Sequence, residues 1–267
     1  MPREVTAFSN ATVKRLRSLR DKKARKEEGL FLAEGLRIIA EARDSGRLPE
    51  IIMFSAEGAR HPLASEIIAA TEAGGGDAIE TTPDILSKTS GKDNPQMILG
   101  AYGQPETSLS AIDRSCAPLW FVAQALRDPG NIGTILRTGD AVGAGGLILS
   151  DDSADPYSVE AVRASMGAIF TQKVAKAPWG EFVTWLRGGS GQLVGTSLKA
   201  NHDYLEVEYA QPCFLLIGNE QQGLPAAYEE ECDTLVKIPM AGRADSLNAA
   251  IAAAVMAFQV RASWRDQ

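Results

Sequence analysis

Apolar positions along the 267-residue chain change period several times. Across residues 10–27, Val13, Leu16 and Leu19 recur every three residues with Lys and Arg between them. That spacing predicts an amphipathic helix, which Asn10 can cap. Phe31–Gly35 reads as a short strand or turn leading into a helix near Leu36–Ala42, and Pro49–Phe54 as a strand. His61–Ala73 predicts a helix stopped by Gly74, Gly75 and Gly76. Ala78–Thr82 and Gln96–Tyr102 are further strand candidates, with a short helix after Pro83 between them. This alternation predicts a small α/β unit over residues 1–103. Residues 104–118 have weak periodicity and several turn formers, and read as a linker.

From residue 119 to 267 strands and helices alternate again. The strands expected are Leu119–Leu126, Gly146–Ser150, Gln172–Ala177, Leu193–Ser197, Cys213–Gly218 and Leu235–Ile238. Helices are expected near Ile132–Val142, Pro156–Ile169, Trp179–Leu186, Leu224–Glu231 and Leu247–Ala262. Continuously apolar strands separated by helices predict a buried, mostly parallel sheet covered on both faces.

Composition narrows the function classes. With 45% hydrophobic and 23% charged residues the chain can bury a core, which excludes a disordered tail. The longest apolar stretch, Ala249–Phe258, is half of the roughly 20 residues a membrane span needs, so no membrane association is expected. MPREVTAFSN has no apolar run of the kind that marks a secretory signal. Cys116, Cys213 and Cys232 are widely spaced, and His61 and His202 are the only histidines. Neither a disulfide framework nor a metal site is expected, and the cytoplasm is the default compartment.

The net charge of −7 conceals an asymmetry. Residues 1–30 carry nine basic against four acidic side chains, a surplus of five positive charges, which leaves −12 on the remainder. Phosphate contact would use such an arm, because each neutralised phosphate releases a counterion. The candidates are Lys14, Arg15, Arg17, Lys22, Lys23, Arg25 and Lys26. A merely solvated helix face is the alternative.

Common cofactor signatures are missing: no GxGxxG opens a first helix, and no GxxxxGK[ST] or GxSxG occurs. Three turns rich in Gly and Asn follow predicted strands instead. In the first, Asp128-Pro-Gly leads to Asn131, a candidate N-cap, and to Arg137, whose planar fork suits a phosphate or carboxylate. In the second, an apolar strand delivers Gly218, where a ligand could approach the backbone, and then Glu220. In the third, Ser246 can cap an alanine-rich helix with Asn248 in its first turn. Leu247, Ile251, Val255 and Phe258 are the expected packed face of that helix. Each turn alone reads equally as ordinary caps and solvated charges. Three in one domain point to a site.

The order NxGxxxR, IGNExxGL and IPMxGxxxSLN resembles the SpoU (TrmH-type) branch of the SPOUT RNA methyltransferases, from Leu119 to the end. The first part, with its basic helix and the phrase EGLFLAEG, is similar to the L30e-like substrate-binding domain that many of these enzymes carry. The resemblance implies an α/β fold with a deep trefoil knot, an S-adenosyl-L-methionine (AdoMet) pocket in the knot, and a homodimer. It implies methyl transfer to a ribose 2′-hydroxyl of structured RNA, large-subunit ribosomal RNA before transfer RNA. It carries catalytic roles to Asn131, Arg137, Glu220, Ser246 and Asn248, and cofactor contacts to Gly218, Ile238 and Leu247.

The chemistry agrees with those residue types. A sulfonium is a good leaving group, so the demanding partner is the weakly acidic hydroxyl, which must be aligned and must lose its proton. Arg137 is the family's candidate for activating it, and a protonated guanidinium also serves by stabilising the developing alkoxide. Glu220 is assigned to shaping the pocket. Two other classes stay open: a non-catalytic RNA-binding protein, which would not need the three turns together, and a small-molecule transferase, which would leave the basic arm unexplained.

Overall fold

In the computed structural model, residues 2–264 are described. They form two compact units. The first runs to Pro105 and includes Tyr157–Thr171; the second comprises Glu106–Pro156 and the chain from Gln172 onward.

The first unit is built from β1 (Arg3–Val5), α1 (Ala11–Ser18), α2 (Lys22–Glu28), β2 (Leu30–Glu34), α3 (Leu36–Asp44), β3 (Ile51–Ser55), α4 (Pro62–Ala73), β4 (Asp77–Thr81), α5 (Pro83–Ser90) and β5 (Ile98–Gly103). Its sheet has the order β1-β4-β3-β5-β2, with β5 antiparallel to both neighbours. Alternate residues of one strand serve two cores. Ile51 and Met53 pack with Val13, Leu16 and Leu19 of the basic segment, whereas Ile52 and Phe54 pack with Ile67 and Ile68 of α4. A strand with apolar residues on both faces is what a sheet covered on both sides requires.

The basic helix expected over residues 10–27 is two helices. Asp21 caps the second, its side chain accepting from the N–H groups of Lys23 and Ala24. Arg25 is buried in the bend, 3% exposed, and its Nη1 donates to the carbonyls of Leu19 at 2.8 Å and Arg20 at 2.9 Å. It satisfies carbonyls that the end of α1 leaves open. Arg25 is therefore corrected from a phosphate contact to a structural residue.

The second unit contains β6 (Leu119–Gln124), α6 (Pro129–Val142) and β7 (Gly146–Ser150). The chain then contributes α7 (Val159–Ser165) to the first unit. It returns as β8 (Lys173–Ala177), α8 (Trp179–Arg187), β9 (Gln192–Thr196), β10 (His202–Asp203), β11 (Cys213–Ile217), α9 (Ala226–Glu229), β12 (Thr234–Lys237) and α10 (Ala249–Ser263). All seven strands are parallel, in the order β10-β12-β9-β11-β6-β7-β8. Residues 104–118 form two 3-10 turns, Leu109–Ala111 and Arg114–Cys116, and place Ile112 and Ala117 in the second unit's core beside Trp120.

Strand order positions the site. From β6 the chain runs outward through β7 to β8, then crosses to β9 on the other side of β6, and β11 fills the gap. At such a reversal the loops after neighbouring strands splay apart and leave a crevice at their carboxyl ends.

Candidate active site at the carboxyl edge of the parallel sheet

The loops after β6, β9, β11 and β12 meet at this edge. A cavity of about 260 Å³ opens there, and its lining includes Gly218, Glu220, Ile238, Ser246 and Leu247. The second and third sequence turns thus share one pocket. Thr196–Lys199 after β9, Glu229 and Met240 line it as well. Sequence reasoning missed the β9 loop because TSLK matches no motif.

The first turn joins through side chains. Asn131 Nδ2 donates to Glu220 Oε1 at 2.9 Å, and Asn131 Oδ1 accepts from Asn248 Nδ2 at 2.9 Å. One carboxamide therefore ties all three turns together. Asn131 is only 6% exposed, so the tie sits in a partly desolvated place where hydrogen bonds are strong. Burial pushes the Glu220 carboxyl up, but the bond from Asn131 and those from the backbone N–H groups of Glu220, Arg127 and Asp128 outweigh it. Its pKa falls below the ordinary value.

Two capping roles are corrected. Asn131 is not the cap of α6; Asp128 is, its Oδ1 accepting from Gly130 N–H at 2.7 Å. Pro129 takes the first helical position, where its missing N–H costs nothing, which moves the start three residues ahead of Ile132. Likewise Asn248, not Ser246, caps α10, with Oδ1 accepting from the N–H groups of Ala250 and Ile251.

The sequence also placed the wrong face of α10 inside. Ala249, Ala250, Ala253, Met256, Ala257 and Val260 are buried, while Ile251 and Phe258 are more than half exposed. Small residues let α10 lie close on α6 and β11, with Met256 and Val260 buried beside them, while Ile251 and Phe258 are left outside.

At Gly218 the reason for glycine differs from the expected one. A Cβ there would lie 2.6 Å from the carbonyl carbon of Gly223 and 2.7 Å from the nitrogen of Leu224. The chain's own turn, not a ligand, fills that space. Asn219 holds the same turn: its Nδ2 donates to Ala125 O at 2.8 Å, and its Oδ1 accepts from the N–H groups of Gln221 and Gln222. Asn219 lay inside the quoted motif, but sequence alone did not separate it from its neighbours. Ala125 has a φ of 49° and Asp151, after β7, 56°. Non-glycine residues in that region are strained, and such strain clusters at functional edges.

Arg137 is exposed on α6, six residues or about 9 Å of helix rise beyond Asn131. It forms no hydrogen bond or ion pair among the described residues, and the fold does not bring it into the Asn131–Glu220–Asn248 network. No group of His, Cys, Asp or Glu among the described residues could hold a metal ion. No described helix is long and apolar enough to cross a membrane.

The cavity suits AdoMet. Ile217, Val236, Ile238, Met240 and Leu247 give it apolar walls for an adenine ring and for the methylene groups beside the sulfonium. From Ile238 to Leu247 the backbone forms no helix or strand, so its N–H and C=O groups are not committed to a ladder. Lys199 and Glu229 provide charges of both signs for an amino-acid end, and Ser197 Oγ already donates to Glu229 Oε1 at 2.6 Å.

Comparison with known proteins agrees with this geometry. The SpoU rRNA Methylase family model matches residues 118–258, and the MRM3-like substrate binding domain model matches residues 10–100. The chain is 33% identical over 248 residues to the 23S rRNA (uridine(2479)-2'-O)-methyltransferase of Streptomyces viridochromogenes, covering 90% of this chain and 85% of that one. It is 29% identical over 259 residues to the 23S rRNA (guanosine(2553)-2'-O)-methyltransferase RlmP of Bacillus subtilis (strain 168), covering 97% and 99%. Among solved structures, an AdoMet-bound rRNA methyltransferase from Sinorhizobium meliloti matches with a TM-score of 0.91 at 39% identity, covering 98% of both chains. With one family model spanning more than half its length and a second covering the part before it, the chain belongs to the SpoU rRNA methylase family and carries an MRM3-like substrate binding domain.

Proposed function

We propose that the protein transfers the methyl group of AdoMet to a ribose 2′-hydroxyl in large-subunit ribosomal RNA. The observation that carries this reading is the single carboxamide of Asn131. It locks Glu220 and Asn248 together beside a cavity fit for AdoMet. The full-length relatives named for 23S ribosomal RNA ribose methylation support the substrate.

When bound, AdoMet supplies a methyl on a sulfonium, a leaving group that needs no covalent help. The protein's share is alignment and charge. The apolar walls and the Ile238–Leu247 backbone hold the cofactor. Asn131, Glu220 and Asn248 fix the three turns relative to one another, and Ser246 lies at the cavity's rim for the ribose. Arg137, free of partners among the described residues, meets the RNA and stabilises negative charge developing on the 2′-oxygen.

The exposed basic side chains of α1 and α2 hold the RNA: Lys14, Arg15, Arg17, Lys22, Lys23 and Lys26. Arg15 is already paired with Glu28 at 2.7 Å, so it contributes least. A homodimer completes the reading. Ile251, Val255 and Phe258 recur at helical spacing and form an apolar stripe on α10 that a second copy would cover. The trefoil knot implied by the motifs belongs to the same proposal, as does a cytoplasmic location beside the ribosome.

The test is a map of ribose methylation across all RNAs in a strain lacking the protein. Loss of one 2′-O-methyl group in large-subunit RNA, restored by the wild-type gene, is the expected result. A lost group in transfer RNA would reassign the substrate, and an unchanged map would remove the enzyme reading.

A further inference from the structure

In the first unit the start of β5 lies beside the ends of β2 and β3, because β5 runs antiparallel to both. Three loops therefore meet at one end of that sheet: residues 35–37 after β2, 56–61 after β3 and 91–97 before β5. The third loop is pinned to the other two. Glu34, whose side chain is only 6% exposed, accepts from Lys92 Nζ and from the N–H of Gln96, the latter at 2.9 Å. Gly35 N–H donates to Ile98 O at 3.0 Å, and Ser55 N–H to Met97 O at 3.0 Å. A Cβ on Gly58 would lie 2.7 Å from Met97 O, so the turn Gly58–Arg60 is pressed against the loop. Leu36 and Ala59 pack on the same core cluster, which ties the start of α3 to that turn.

On this fixed backbone the polar side chains are unspent. Arg37, Arg60, Asn94 and Gln96 are exposed, and their side chains form no hydrogen bond or ion pair among the described residues. The large apolar side chain exposed in these loops is Met97, at 45%. A surface that meets another folded protein has an apolar core, which one methionine does not supply. Unpaired RNA suits the set better. Guanidinium planes stack on bases, carboxamides offer both a donor and an acceptor to base edges, and a thioether packs against an aromatic ring. Within a helix those faces and edges are hidden, so only unpaired nucleotides present them.

We propose that this rim reads unpaired nucleotides of the substrate RNA and so decides which RNA the protein accepts. The inference rests on the RNA reading above and adds a second kind of recognition to it. The phosphate contacts of α1 and α2 are blind to base and weaken with salt, whereas contacts from carboxamides release no counterion. A backbone fixed before binding also avoids the ordering cost that a mobile loop would incur.

The test uses a large-subunit RNA fragment that contains the mapped methylation position. Kd is measured for the fragment alone and with complementary strands annealed over its unpaired nucleotides, the methylated one excepted. Wild type should bind the annealed form about tenfold or more weakly, the scale of one lost stacking contact. The double variants Asn94→Ala with Gln96→Ala, and Arg37→Gln with Arg60→Gln, should each shrink that difference to about threefold or less. Their unfolding midpoints should stay at the wild-type value, since all four side chains are exposed. The carboxamide variant should keep the wild-type salt slope, while a Lys22, Lys23 and Lys26 triple Ala variant should lose slope and keep the difference. Equal binding of the two forms by wild type, or the full difference retained by either folded double variant, overturns the rim's role. Wild type that binds neither form overturns the RNA reading itself, a separate result.

Discussion

Asn131 shows how much one side chain can do. Its oxygen and its nitrogen are both spent, one on Asn248 and one on Glu220. Asn131→Ala leaves both partners short and should destabilise the second unit by roughly 1–3 kcal/mol, read by chemical denaturation. Glu220 adds a pH signature. Its folded carboxyl titrates below the ordinary 4.5, so the ionised network stabilises the fold above that pH. The contribution is lost as pH falls through the depressed folded value. Glu220→Gln should flatten the acid limb of stability against pH; an unaltered limb would show that the network does not depend on charge. Arg137→Ala should lower turnover by about 10²-fold or more, the scale for one key electrostatic group, while AdoMet affinity moves much less. Turnover near wild type would remove Arg137 from the chemistry.

At the scale of elements, the basic segment and α10 each divide what sequence treated as uniform. Arg25 holds the bend between α1 and α2, so Arg25→Ala should destabilise the first unit, by about 1–3 kcal/mol for two deserted carbonyls. Lys22, Lys23 and Lys26 are exposed, and each one lost should reduce the slope of log RNA affinity against log salt by up to about 0.7–0.9. Comparing salt titrations of Arg25→Ala and the triple Lys→Ala variant separates the two roles. Equal slopes in wild type and the triple variant would return α2 to a solvated face. The longer strands were legible: β2, β3, β6 and β11 carry four or more consecutive apolar residues, and the others, such as KVAKA in β8 and TLVK in β12, are short apolar segments between turn formers and helices. What escaped was short or decided by packing. β1 and β10 are three and two residues long and carry too little pattern to be seen. α10 is apolar almost all round, so periodicity does not decide which face is inside, and the alanine-rich face with Met256 and Val260 is the buried one. The site's motifs were legible as residues. Their mutual hydrogen bonds were not, because Asn131 and Asn248 are 117 residues apart.

For the whole molecule, the charge asymmetry and the uncovered stripe on α10 set the expectations. A body of −12 repels RNA, so attraction must come from the basic segment, and activity should fall steeply with added salt. Phe258→Glu places charge on the stripe and should shift a dimer towards monomer in light scattering at micromolar concentration; a wild-type monomer with full activity would contradict the homodimer. The central claim is ribose methylation of large-subunit RNA by AdoMet. The most direct measurement incubates the purified protein with methyl-labelled AdoMet and an unmodified large-subunit RNA transcript, then identifies the labelled nucleoside by mass spectrometry. The account predicts one 2′-O-methylated nucleoside, formed about 10²-fold more slowly or worse by Arg137→Ala. Label on a base, or none on a transcript that the protein binds, would contradict it.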